Sequence, residues 1–425
     1  MVPWNVSRVG TVQTMIQVLA NARMADGRLM DVHITDGLIS QMVKAGGPIP
    51  EGAAVHDLDG WLLLAAMAEP HAHLDKALTA ELVPNPQGDL MGAIVAWRAA
   101  AAKGAFTYEA TVESSAAAME LLLVHGVTAV RSHVNVLAEN GTRSLRAVKA
   151  AAARFEGLLD VQTVALTDSP ITGPDGAANR AALDAAVEEG VDFIGGCPHL
   201  DPDGPAAVRH ALRIASDAGL GIDLHTDETL DADVLTLRDL ARQVLDTGFS
   251  GLVAASHCVS LGVQTPKVQA EISALVAEAG IAVFPLPQTN LFLQGRDHAA
   301  SMPRGLTALR ALQEAGALVA AGADNVQDPF NLVGRSDPLE TAALMIMAGH
   351  QLPDVAYDMV SNNARRAIGL APVTMSVGDP ADLVAIDAPS VRGAIANAPM
   401  ARQTFKGGRL VASASQQTRI YRTST

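Results

Sequence analysis

The chain has 425 residues, 49% of them hydrophobic and 18% charged, with a net charge of −15. That composition supplies a core large enough for a barrel with a smaller appendage, while the acidic balance, with no lysine–arginine cluster, excludes nucleic acid and anionic membranes as partners. The two cysteines, Cys197 and Cys258, lie far apart; with no export signal at the N-terminus and no apolar run of the roughly 18–20 residues a membrane helix needs, a cytoplasmic protein is expected.

Taken in order, residues 15–19, 29–34 and 38–43 read as short strands separated by Asp26-Gly27 and Asp36-Gly37, the pattern of hairpins. Residues 381–386 and 404–411, the latter interrupted by Gly407-Gly408, repeat it near the other end. Neither end has enough strands to bury a face alone, so residues 1–60 and 375–425 are expected to form one small β domain. His33 and His56 fall within it, where surface or turn roles are expected.

Residues 61–374 alternate apolar strand-like runs with Ala/Leu-rich helices. Strands are expected at 61–67, 128–134, 160–166, 193–196, 221–225, 252–257, 281–284 and 318–324. Eight strand–helix units predict a parallel, closed (β/α)8 TIM-like barrel, whose chemistry sits at the C-terminal ends of its strands. His71, His73, His225, His257 and Asp324 all fall at such ends.

In an extended segment alternate side chains share a face, so His71 and His73 point the same way and begin a divalent metal site. His225 from another strand and Asp324 complete the donor set and leave room for a water, whose pKa the metal lowers towards about 7 and whose proton Asp324 can accept. Glu228, in His225-Thr226-Asp227-Glu228, is placed to carry a proton to a leaving nitrogen, and His257 to polarise the attacking oxygen. His133 reads as structural or as support for the ligands, and His199 as a minor pocket candidate. His125, His210, His298 and His350 are expected to have no role. Asp337 is a candidate helix cap.

The motifs Glu69-Pro70-His71-Ala72-His73-Leu74-Asp75, Asp223-Leu224-His225-Thr226-Asp227-Glu228, Ser256-His257 and Gly322-Ala323-Asp324-Asn325 resemble the cytosine-deaminase branch of the amidohydrolase superfamily, as does Asn290-Leu291-Phe292-Leu293-Gln294-Gly295-Arg296. The resemblance spans nearly the whole chain. It implies the barrel, a sandwich built from both termini, a homo-oligomer, and one divalent ion per chain, zinc or iron, held by His71, His73, His225 and Asp324. It also implies that Glu228 is the proton shuttle and that His257 stands beside the hydroxide.

Three positions depart from that branch: Asp168 replaces a glutamine, Asn325 a second aspartate, and Phe330 a tryptophan. Ionised Asp168 can only accept hydrogen bonds, which favours a ring edge presenting two N–H groups or positive charge. Asn325 and Lys76 resemble instead the N-isopropylammelide amidohydrolase type of enzyme, which removes alkylamines from hydroxylated s-triazines. Leu90, Gln294 and Phe330 are expected to line the pocket with Asp168 and Asn325.

The expected activity is metal-dependent hydrolytic removal of an exocyclic amino or alkylamino group from a pyrimidine-, pterin- or triazine-like ring. The alternatives are a cyclic amide hydrolase of hydantoin or lactam type and a non-catalytic scaffold. Hydantoinase-like relatives often bridge two metals with a carboxylated lysine, and no lysine ends the strand-like runs 161–166 or 193–196.

Overall fold

The computed structural model describes residues 15–421. The expectations that rest on residues 1–14 and 422–425, including the lack of an export signal, lie outside the described residues. Two sheets organise the chain.

The smaller unit is an eight-stranded sheet drawn from both ends of the chain. Its N-terminal strands are Val18–Arg23, Leu29–Thr35, Leu38–Lys44, Val55–Asp57 and Leu62–Ala65. Leu383–Ile386, Arg402–Lys406 and Arg409–Ala414 come from the other end. Asp36 and Gly37 both take positive φ, 52° and 77°, the geometry that lets a two-residue turn follow the twist of its strands. Leu19, Val32, Ile39, Leu63, Leu383 and Phe405 form its own buried cluster. His33 and His56 lie in strands of this sheet rather than on turns, and His56 Nε2 is 2.6 Å from Gln403 Oε1.

The run expected as the first barrel strand is divided between the two sheets. Leu62–Ala65 pairs antiparallel with Leu383–Ile386 in the small sheet, the chain crosses at Ala66, and Met67–Ala72 begins the barrel. The run reads as continuous because Leu62, Leu63 and Met67 are all fully buried: hydrophobicity reports burial and not which core receives it. The barrel strand therefore carries Glu69, Pro70 and His71 inside it. Proline has no N–H to give to a ladder, and the register shifts between Glu69 and Ala72.

Seven parallel strands form the larger sheet, from Met67–Ala72 through Val127–Asn135, Asp160–Leu166, Phe193–Ile194, Gly221–Thr226 and Val253–His257 to Ala282–Phe284. Helices alternate with them, giving the expected (β/α)8 arrangement. Its eighth member, residues 318–324, closes the ring through two parallel bridges, Val283 with Val319 and Ala72 with Asp324. A side chain completes that seam. The buried Glu69 carboxyl accepts from Ala323 N at 3.0 and 3.1 Å and from His71 N at 3.1 Å.

Among the described residues no helix is long and apolar enough to cross a membrane.

Candidate metal centre

Each candidate ligand stands where a strand runs out. His71 lies in Met67–Ala72, His73 just beyond it, His225 in Gly221–Thr226, and Asp324 at the end of the closing segment. Their donor atoms lie within 4.8 Å of one another, and all four residues are buried. His73 Nε2 is 3.2 Å from His225 Nε2 and 3.1 Å from Asp324 Oδ1, while His71 Nε2 is 3.5 Å from the same oxygen.

His71 Nε2 and Asp324 Oδ1 have no hydrogen-bond partner. Orphaned buried polar atoms cost about 1–3 kcal/mol each, and two imidazole nitrogens against one carboxylate oxygen, with a third nitrogen beside them, form an arrangement that a cation relieves. Burial holds His73 and His225 well below the ordinary imidazole range, with the Lys76 charge adding at His73 and neighbouring imidazoles at His225. Both are therefore neutral, the form that ligates metal. At Asp324 burial would raise the carboxyl, but the contacts with His71 and His73 prevail and hold it well below the usual carboxylate range. The residues present fit one divalent ion with three nitrogens and one oxygen.

The next ring of groups is held by the loops. His257 closes Val253–His257 at φ 64°, a left-handed conformation that costs a non-glycine residue about 1–3 kcal/mol. Its Nε2 lies 4.0 Å from Asp324 Oδ2, its Nδ1 2.9 Å from Asn290 Oδ1 and 3.6 Å from Glu228 Oε1. Asp227 anchors the loop that presents Glu228 by accepting from Thr236 N, Thr236 Oγ1 and Leu237 N at 2.8, 2.5 and 3.0 Å. Burial pushes the Glu228 carboxyl up to about 7; His257 opposes the shift and Asp324 adds to it.

A cavity of about 300 Å³ opens over these groups, with His73, His225, Glu228, His257 and Asp324 in its lining. The helix Leu90–Ala102 forms one apolar wall through Leu90, Ile94 and Trp97. Asp89 caps that helix by accepting from Gly92 N at 2.6 Å. Asn85 donates to Pro329 O at 3.0 Å, tying the wall to the loop that carries Phe330.

Of the expected substrate contacts, Leu90, Asp168, Asn325 and Phe330 line the cavity. Gln294 is not in the lining; its amide donates to the Glu228 carbonyl at 3.2 Å. Asp168 is engaged by the Arg98 guanidinium, so a ligand that reaches it also meets a cation. Asn325 donates to Asp328 Oδ2 at 2.7 Å, and burial pushes the Asp328 carboxyl up to about 7. His199 lies outside the lining, its Nδ1 3.1 Å from the His225 carbonyl. His133 packs on His71 with ring centroids 4.0 Å apart. Asp337 caps the helix Pro338–Met347.

Sequence reasoning did not place Trp97, Arg98 or Asn135 at the site, and saw Lys76 only as a likeness. Lys76 is buried, bonded to Asn135 Oδ1, with Nζ 3.1 Å from His73 Nδ1. Its position three residues after His73 was an available signal. Trp97 and Arg98 carried none, since they sit in a helix that reads as ordinary packing.

A barrel with a histidine–aspartate cluster at its strand ends fits a hydrolase able to bind a metal ion, and the comparisons agree on the hydrolase class. The profile of the Amidohydrolase family matches residues 99–412. A pterin deaminase of Rhizobium rhizogenes (strain K84) is 35% identical over 366 residues, covering 84% of this chain and 82% of that protein. The crystal structure of 5-methylcytosine deaminase from Klebsiella pneumoniae liganded with 5-fluorocytosine aligns with a TM-score of 0.85 at 27% identity, covering 95% of this chain and 99% of that one. N-isopropylammelide isopropylaminohydrolase from Burkholderia multivorans aligns with a TM-score of 0.79, also at 27% identity, covering 95% and 99%. The chain belongs to the amidohydrolase family and is an enzyme that hydrolyses C–N bonds other than peptide bonds.

Proposed function

We propose that the enzyme is a hydrolytic deaminase that replaces an exocyclic amino or alkylamino group of a small nitrogen heterocycle with oxygen. In this reading His71, His73, His225 and Asp324 hold one divalent ion, zinc or iron. The carrying observation is the buried four-donor cluster beside a cavity in which Glu228 is a carboxyl poised near neutrality. When bound, such an ion supplies the acidity that makes water a nucleophile near neutral pH.

The chain's own groups do the rest. Glu228 gives its proton to a ring nitrogen, which makes the amino-bearing carbon electrophilic. Asp324 takes one proton of the attacking water, and His257 Nε2 faces the same point. The C–O bond forms to give a tetrahedral adduct. As its C–N bond breaks, the proton taken up by Asp324 passes by way of Glu228 to the departing nitrogen, which leaves as ammonia or an amine. The adduct's hydroxyl proton returns to Glu228 as the carbonyl forms. The walls from Leu90–Ala102 and Phe330 exclude water and receive the ring faces.

A cavity of about 300 Å³ and the likeness to a pterin deaminase support a pterin-like bicycle ahead of a single pyrimidine or triazine ring. The same proposal includes a cytoplasmic setting, supported by two free cysteines, and a homo-oligomer, supported by the family resemblance. The test is ammonia or amine release from a panel of pterins, pyrimidines and triazines. Turnover is expected with pterins; no release from any of the three classes refutes the reading, and turnover that survives Glu228→Ala nearly intact refutes the role of Glu228.

A further inference from the structure

Beneath the ligands lies a buried polar chain that the proposed reaction does not use. Arg131, Asp223, Ser256 and His71 are each 0% exposed. Arg131 Nη1 donates to Asp223 Oδ2 at 3.0 Å, Ser256 Oγ is 3.2 Å from Asp223 Oδ1, and the same hydroxyl oxygen is 2.7 Å from His71 Nδ1. Arg131 is itself fixed, with Nε donating to Gln162 Oε1 at 3.0 Å and its guanidinium 3.8 Å over the Phe193 ring.

Counting protons orders this chain. Asp223, paired with a guanidinium, is a carboxylate and can only accept. Ser256 has one proton and gives it to Asp223 Oδ1, because otherwise two oxygen lone pairs would face each other at 3.2 Å. The hydroxyl oxygen must then accept at its other contact, so the proton there belongs to His71 Nδ1. That leaves the lone pair of His71 on Nε2, the atom that faces Asp324 without a partner.

We infer that Asp223 and Ser256 are positioning residues that hold His71 in the Nδ1–H tautomer and fix its ring, so that Nε2 is always presented to the cation. The inference rests on the metal reading of the cluster proposed above. Neither residue touches substrate; both act through His71. The other two imidazoles have no such chain, since His73 Nδ1 meets Lys76 and His225 Nδ1 has no partner. Orienting partners of this kind are worth about 10–100-fold in metal affinity.

The experiment is zinc binding by the full-length metal-free protein, in competition with a chelator and well below its unfolding temperature. Wild type is expected to bind one ion per chain, and Ser256→Ala to bind about 10–100-fold more weakly. Asp223→Asn is expected to do the same by a different route. Its amide oxygen stays with Arg131 and its N–H turns to Ser256, which reverses the proton order and puts the proton on His71 Nε2. Arg402→Ala, far from the site, is the control for lost stability and should lower the unfolding temperature with zinc affinity unchanged. If Asp223→Asn fails to fold, Ser256→Ala alone decides.

Wild-type affinity in Ser256→Ala overturns the inference and leaves the functional reading standing. Two ions per wild-type chain also overturns it, because His71, His133 and Asp223 lie close enough to ligate a second cation, and Asp223 would then be a ligand rather than a relay. No ion in wild type overturns the functional reading and the inference together.

Discussion

Glu228 is the residue whose environment says most about its work. It lies in the cavity lining, its carboxyl is raised by burial, and His257 and Asp324 are the neighbours that pull it in opposite directions. The group that first donates to the ring must begin protonated, so kcat/KM is expected to fall as pH rises through about 7. Glu228→Gln should lower kcat/KM by about 10²–10⁴-fold and remove that descending limb from whatever activity remains, both read by steady-state ammonia release. Around it the cavity carries charges of both signs. Lys76 is tied to Asn135, and Arg98 to Asp168. A ligand there meets pre-paired groups rather than a bare anion, which changes what Asp168 can select for: a ring edge that approaches it has to share the carboxylate with a guanidinium.

At the scale of elements, the seam of the barrel is the weak join and the site is built on it. The closing segment offers only two bridges, and Asp324 sits there at φ 66°, so no regular ladder can run past it. Glu69 substitutes for the missing ladder with three backbone hydrogen bonds. That substitution needs room at Gly322, where an added Cβ would lie 2.5 Å from Glu69 Oε1. Gly322→Ala should therefore destabilise the fold by about 1–3 kcal/mol, measured by urea unfolding, and should weaken zinc binding because His71 and Asp324 flank the displaced carboxyl. Unchanged stability in that variant would show that the seam does not depend on Glu69. The loop bearing Glu228 is anchored by another acid in the same way, with Asp227 filling the N-terminal amides of the helix Thr236–Thr247.

Across the whole molecule, the two sheets are joined by buried ion pairs. Arg402 from the small sheet makes two bonds of 2.7 Å to Asp337, which also caps a barrel helix, and a third of 2.9 Å to the His125 carbonyl. Arg365 reaches Asp382 at 3.0 Å across the same boundary. Arg402→Ala leaves a carboxylate buried without its partner and should cost about 3–5 kcal/mol. Burial alone would raise the Asp337 carboxyl, but Arg402 outweighs it and holds it below its ordinary value. A carboxyl lowered by folding stabilises above its unfolded pKa, and that contribution is lost as pH falls through the lowered value. Urea unfolding at neutral and at acid pH should therefore show wild type losing this increment on acidification and Arg402→Ala lacking it.

The sequence by itself determined the fold class and brought forward the three histidines and the aspartate that the fold gathers into one cluster. Alternation of apolar runs with Ala-rich helices is a local property, as is a histidine at the end of such a run, and both can be read along the chain. The division of residues 61–72 between two sheets could not be read that way, because a buried run looks the same in either core. Nor could the partners of Asp168, the role of Gln294 behind Glu228, or the Trp97 and Arg98 wall, since each depends on which distant segment is packed against which. The protonation of His71 is the sharpest case. One residue pair visible in the sequence, Ser256-His257, supplies the hydroxyl, but only a closed barrel brings Asp223 and His71 to either side of it, and it is that three-dimensional order that assigns the proton.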